Sequence, residues 1–290
     1  MRTFLGILGG SGIYDIPGLT NARWTRVETP WGDPSDDILI GELSGLPIAF
    51  LPRHGRGHKF SPSGINYRAN IDALKQIGVT DLVSISACGS LKEELAPGMF
   101  VVVDQFIDRT FAREKSFFGN GCVGHVPFGD PISPLLAEHA ARAAEKEGIN
   151  VVRGGTYLVM EGPQFPTLAE SKLYRQWGCD VIGMTNMPEA KLAREAEICY
   201  ATVAMVTDYD CWHADHGAVD VAKVIETLLG NAELAKKLVQ RLAIDLPREH
   251  EICPAGSDQA LEHAVITAPD ARDVALVAKL QTIAGRVLNR

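Results

Sequence analysis

The chain contains no run approaching the roughly 20 apolar residues that a membrane-crossing helix needs. Its first residues, MRTFLGILGGSGIYD, lack the long apolar region and small-residue cleavage site of a secretory signal. A cytosolic location and no membrane partner are therefore expected. Basic residues are scarce as well: 28 Lys and Arg stand against 36 Asp and Glu, a formal net charge of −8. Nucleic-acid backbones are bound by basic faces, so no nucleic-acid partner is expected. If an anionic ligand binds, local groups must hold it. The six cysteines (Cys88, Cys122, Cys179, Cys199, Cys211, Cys253) form neither a CxxC pair nor a Cys/His ligand spacing. No metal site or disulfide framework is expected, and they read as reduced packing residues. Internal repeats, low-complexity segments and Pro/Gly/Ser linkers are also missing. One compact domain over residues 1–248 is expected, with 249–290 as a C-terminal extension carrying a helix packed on it.

What is present is an alternation. Short apolar runs (FLGILG, IGELSGLPIAFLPR, DLVSISACGSL, GMFVVVDQFIDR, GTYLVMEGP, DVIGMT, CYATVAMVTDYD) are separated by helix-periodic stretches. The clearest of these are YRANIDALKQIGV, SPLLAEHAARAAEKEGI, LAESKLYRQWG, NMPEAKLAREAEI and the long VDVAKVIETLLGNAELAKKLVQRLAIDL. The pattern predicts an α/β fold: a parallel or mixed central β-sheet flanked by helices.

In open α/β sheets ligands collect beyond the carboxyl ends of strands, so the polar residues ending each run are the informative ones. GGSGIYD offers backbone N–H groups and the Ser11 hydroxyl to an anion, but it matches neither GxGxxG nor GxxxxGK[ST], and a plain glycine turn explains it equally. In PRHG, Arg53 presents a fork of donors suited to phosphate beside His54, although a lone strand-end Arg also serves as a surface charge. SISACGS ends a strand in hydroxyls and small residues, compatible with close backbone approach or with an ordinary turn. MEGPQF places Phe165 where it could stack on a base or fill core. TDYDCW carries the most information. Asp208 and Asp210 leave a strongly apolar stretch and, by period-two alternation, share one side of an extended chain. Two carboxylates in one partly apolar place are costly without a ligand, and at least one should have a raised pKa. A helix N-cap accounts for one Asp and explains two less well.

Taken in order, GGSGIYD, PRHG, NYRAN, ACGSL, DQFIDRT, EGPQF, MTNMPEA and TDYDCW resemble the methylthioadenosine phosphorylase branch of the purine nucleoside phosphorylases, over most of residues 5–245. The resemblance implies the single-domain nucleoside phosphorylase fold, assembled as a homotrimer with active sites near subunit interfaces. It implies a phosphate site made of Ser11, Arg53, His54, Ser86, the Ala87 backbone and Thr185. Met184 would lie against the ribose and Phe165 against the base, with Asp208 and Asp210 on the purine edge. Val219 and Val221 would line the methylthio pocket, which His125 of a neighbouring subunit would reach. Three positions depart from the family: Ser11 where Thr is usual, Gly183 where Asn is frequent, and Pro166 where a hydroxyl residue is frequent. Backbone groups or Thr167 would then replace the missing contacts to the base, and Pro166 and Val221 bear on specificity.

The implied reaction uses inorganic phosphate to split S-methyl-5'-thioadenosine into adenine and S-methyl-5-thio-α-D-ribose 1-phosphate, with no metal or organic cofactor. Adenine has an amino donor at position 6 and a lone pair at N7. One ionised and one protonated carboxylate complement that edge, and Asp208 would be the general acid at N7. A 6-oxopurine nucleoside or methylthioinosine phosphorylase of the same fold is the nearest alternative, and a non-catalytic nucleoside sensor the most distant.

Overall fold

In the computed structural model the strands are β1 (Leu5–Gly9), β2 (Leu19–Thr25), β3 (Ile38–Leu43), β4 (Leu46–Pro52), β5 (Asp81–Ser90), β6 (Phe100–Val102), β7 (Gln105–Arg109), β8 (Val151–Arg153), β9 (Thr156–Met160), β10 (Val181–Gly183) and β11 (Cys199–Asp208). The helices are α1 (Tyr67–Gln76), α2 (Pro134–Lys146), α3 (Leu168–Gln176), α4 (Glu189–Glu195), α5 (Val221–Asp245), α6 (Val274–Lys279) and α7 (Gln281–Leu288). The structure describes all residues except Ser11, Gly12, Tyr14 and 214–220, and the side chains of 221–223.

The strands form one mixed sheet, ordered β2-β3-β4-β1-β5-β10-β9-β7, from which β11, β6 and β8 branch at β5. β1 runs parallel to β4 and β5, and β5 runs parallel to β11. β3 is antiparallel to β4, and β10 is antiparallel to β5. The apolar character on both faces of β1, β5 and β11 follows from this placement, because central parallel strands are covered on each side. Their side chains, with those of α1, α2 and α5, fill one continuous core.

Two apolar runs each divide. IGELSGLPIAFLP is a β3–β4 hairpin, turned at Ser44 (φ 52°) and Gly45 (φ 76°), both left-handed as a two-residue hairpin loop demands. GMFVVVDQFIDR separates into β6 and β7. The edge strand β2, LTNARWT, has an exposed face and no apolar run to announce it. The segment from Glu249 onward buries Leu261, Leu280 and Ile283 in the main core. Arg286 there pairs with Glu197 and Glu262.

β5 is the pivot that makes a site. It pairs with β1 only as far as Leu8↔Ser84, and on the same side takes up β10 only at Gly89 and Ser90. Residues 85–88 lie between, at a point where the chain order of the sheet reverses. Such switch points are where α/β sheets bind ligands.

Candidate active site

Within the otherwise buried strand β5, Ala87 is exposed. A solvent-open floor in the middle of a core strand marks a cavity. The loops that end β4, β9, β10 and β11 converge on it.

Arg53 follows β4 and is 1% exposed. Its Nε and Nη2 pair with the two Glu189 oxygens at 2.8 and 3.2 Å; Nη2 also meets the Leu8 carbonyl at 2.9 Å and Ser84 Oγ at 2.6 Å, while Nη1 donates to the Ile85 carbonyl at 3.1 Å. The fork read as a phosphate clamp is thus occupied by Glu189. Nη1 keeps one hydrogen that no described residue takes. Burial opposes the charge, and Glu189 outweighs it and raises the Arg53 pKa. His54 differs. Burial pushes its pKa down to about 4, so it is neutral at pH 7. Its Nδ1 lies 2.8 Å from the Phe60 carbonyl, which only accepts, so Nδ1 carries the hydrogen and Nε2 is left as an acceptor.

Ser86 and Thr185 are buried beside Ala87. Asn186, held at a left-handed φ of 75°, donates from Nδ2 to Ser86 Oγ at 3.4 Å and accepts from Ser84 Oγ at 2.7 Å and Tyr200 at 3.1 Å. Gly183 adjoins Met184, whose sulfur packs under Gly162: a Cβ there would lie 2.5 Å from it. Glycine at 162 therefore lets Met184 lie flat under the EGPQF turn. Arg113 joins the two turns by donating to the carbonyls of Met184 at 2.8 Å, Met187 at 2.6 Å and Glu161 at 2.7 Å.

Asp208 and Asp210 both border Gly89, where an added Cβ would fall 3.0 Å from Asp208 Oδ1 and 3.3 Å from Asp210 Cβ. Extended alternation, as read from the sequence, is not what unites them. The strand ends at Asp208, and Asp210 turns back with φ 53° so that its N–H donates to Asp208 Oδ1 at 2.8 Å. Burial raises both pKa values. Asp208 is raised against hydrogen bonds from Thr207 and the Asp210 N–H; Asp210 reaches about 6, burial again the largest cause. For a buried acid with a raised pKa the native state holds the extra proton, so stability is lost as pH rises from the ordinary carboxylate range to about 6. Asp210→Asn should therefore melt higher relative to the parent chain at pH 7 than at pH 4. A pH-independent difference in melting temperature would overturn the assignment.

Phe165 is 50% exposed, and the Pro166 carbonyl meets Cys211 Sγ at 3.5 Å, which draws this loop against the acid pair. Thr167 is spoken for. It caps α3 in a reciprocal box with Glu170, so its hydroxyl is not free for the base. His125 is exposed, its backbone N–H binds the Ala264 carbonyl at 2.9 Å, and among the described residues its side chain has no hydrogen bond to the cavity. Ser11 and Val219, and the side chain of Val221, lie outside the described residues.

All six cysteines are free thiols. Among the described residues, Asp81, Cys199 and His250 bring potential metal-ligand atoms within 4.8 Å of one another, but at the opposite ends of β5 and β11 from the acids. There His250 Nδ1 is bound to Asp81 at 2.8 Å. Among those residues, no helix is long and apolar enough to cross a membrane.

Sequence reasoning did not single out Arg113, Tyr157, Asn186, Glu189 or Tyr200. Glu189 and Asn186 stood inside the quoted MTNMPEA, where a first-turn acid reads as helix capping.

Residues 4–244 match the family described as the Phosphorylase superfamily. The chain is 65% identical over 288 residues to the S-methyl-5'-thioadenosine phosphorylase of Cereibacter sphaeroides and 66% over 287 residues to that of Bradyrhizobium diazoefficiens, covering 99% of each protein and of itself. Among solved structures, a methylthioadenosine phosphorylase from an antarctic soil metagenomic library superposes with a TM-score of 0.91 at 46% identity, over 97% of this chain and 99% of that one. The methylthioadenosine phosphorylase from Schistosoma mansoni in complex with adenine gives 0.79 at 36% identity, over 83% and 91%.

Proposed function

Because the chain belongs to the phosphorylase superfamily and, within it, to the S-methyl-5'-thioadenosine phosphorylases, we infer that its cavity carries out phosphorolysis of S-methyl-5'-thioadenosine. The enzyme is a pentosyltransferase: phosphate displaces adenine at C1' and leaves S-methyl-5-thio-α-D-ribose 1-phosphate, a step in purine and methionine salvage. The observation that carries the division of roles is the acid pair around Gly89 beside the open Ala87 floor.

Phosphate lies over Ala87. It accepts from the Ser86 and Thr185 hydroxyls, the Ser11 turn, the Ala87 backbone and the remaining Arg53 Nη1 hydrogen. Neutral His54 reads a protonated phosphate oxygen through Nε2. The phosphate dianion beside C1' stabilises the developing ribosyl cation, and Asp208 donates to N7 of the departing base while Asp210 accepts from N6. Met184 lies under the ribose and Phe165 over the base. Val219, Val221 and a neighbouring subunit's His125 bound the methylthio end. No metal or organic cofactor takes part.

The assembly is a cytosolic homotrimer. Support comes from α3 and the loops around Glu161, which leave Phe111, Phe165, Leu168, Leu173 and Trp177 exposed, an apolar set of the kind that marks interfaces. An assay of methylthioadenosine, adenosine and inosine with and without phosphate tests the reading. Base release is expected to require phosphate and to be fastest with methylthioadenosine. Free methylthioribose formed without phosphate would indicate a hydrolase, and binding without adenine release a sensor. Light scattering at three times the chain mass is the matching test of assembly.

A further inference from the structure

Tyr157, on β9, ends where position 183 leaves room. A Cβ built on Gly183 would overlap the Tyr157 hydroxyl and lie 2.8 Å from its Cζ and 3.3 Å from the Ala87 carbonyl. The ring is fully buried, and its hydroxyl lies 3.3 Å from Ser86 Oγ. The phenol therefore fills the space of an absent side chain, beside the Ser86 hydroxyl of the phosphate site.

The orientation of Ser86 can be worked out from its neighbours. Ser84 Oγ, which accepts from Arg53 Nη2, donates to Asn186 Oδ1 at 2.7 Å, so Nδ2 is the group that faces Ser86 at 3.4 Å, and Nδ2 can only donate. One Ser86 lone pair is thereby taken. We propose that Tyr157 is a positioning residue for phosphate: its O–H donates to the second Ser86 lone pair, and the Ser86 hydrogen is turned toward the phosphate over Ala87. The unprotonated oxygens of a phosphate dianion only accept hydrogen bonds, so a serine hydroxyl left to rotate loses donor strength there. Burial, the main influence on the phenol, raises its pKa and keeps its hydrogen in place. Glycine at 183 is a condition of the arrangement, since any larger residue displaces the hydroxyl.

The proposal rests on the phosphorolysis reading, and Tyr157→Phe tests it. The substitution keeps the ring and removes one oxygen. KM for phosphate should rise about tenfold, as loss of one hydrogen bond at the site implies, while KM for methylthioadenosine stays within about twofold. Inorganic phosphate should raise the melting temperature of the variant less than that of the parent, and adenine should raise both equally. Gly183→Ala should raise the phosphate KM as well, and adding Tyr157→Phe to it should bring little further change, because both remove the same contact. An unchanged phosphate KM in Tyr157→Phe, or an equal rise in both KM values, overturns the assignment. A parent enzyme indifferent to phosphate would instead sink the phosphorolysis reading itself.

Discussion

Asp208→Asn is expected to lower the turnover of methylthioadenosine by about 10²–10⁴-fold, the usual worth of a positioned general acid. The loss should be concentrated in kcat. An amide has no proton of comparable acidity to deliver as the C–N bond to adenine breaks, and adenine is a poor leaving group while N7 is unprotonated. Folding should survive, because the amide oxygen can still accept the Asp210 N–H that now reaches Asp208 Oδ1 at 2.8 Å, and the Thr207 hydroxyl can exchange its role with the amide. A 6-oxopurine substrate should lose less, since an amide at position 208 can donate to N7 and to the neighbouring carbonyl at position 6, which a carboxylate there would repel. Measuring kcat/KM for methylthioadenosine and methylthioinosine in parent and variant gives the ratio that decides. An equal loss on both would remove Asp208 from the purine edge.

The alternation of apolar runs and helical periods gave away the α/β architecture because each run is long enough to be a strand and most are bounded by glycine or a charged turn. The sites of weakness are equally physical. Strand β2 lacks an apolar alternation because residues on both of its faces meet solvent, and β8 is only three residues long, so neither has a pattern to read. The apolar C-terminal stretch reads as one helix, yet it forms α6 and α7, which meet at Leu280.

The site divides along the same line. Asp208 and Asp210 are neighbours in the chain, so their proximity was legible, though a left-handed turn and not a strand brings them together. Arg53 was legible as a cation at a strand end. Its partner was not, since Glu189 lies 136 residues away and composition says nothing of such pairings. Arg113 was hidden for the same reason: a buried arginine that ties backbone carbonyls of two distant turns has no local signature. Gly183 reads in sequence as a lost contact, and only the packing of β9 beside β10 reveals the phenol that occupies its place.

Glu189→Gln is expected to be the most damaging single change to stability. Arg53 and Glu189 have side chains 2% and 0% exposed, and their 2.8 Å contact balances charges that water does not reach. Removing one partner of such a pair leaves an uncompensated buried charge, at a cost of about 3–5 kcal/mol. For a chain of this length that corresponds to a fall of about 5–10 °C in melting temperature. The change also reaches the reaction. Without the carboxylate, Nε and Nη2 lose their anchor, the Nη1 hydrogen left for phosphate loses its aim, and Tyr200 loses its 2.8 Å contact to Glu189 Oε1. Phosphate KM should rise together with the loss of stability. The double replacement Arg53→Met with Glu189→Leu separates the two effects. Apolar residues in place of the pair remove the uncompensated charge but leave the Leu8 and Ile85 carbonyls without their donor, so the double variant should melt above Glu189→Gln and below the parent while its phosphate affinity is lost. If Glu189→Gln melts within about 1 °C of the parent, or if the double variant keeps its phosphate affinity, then the pair neither holds the fold nor aims the guanidinium.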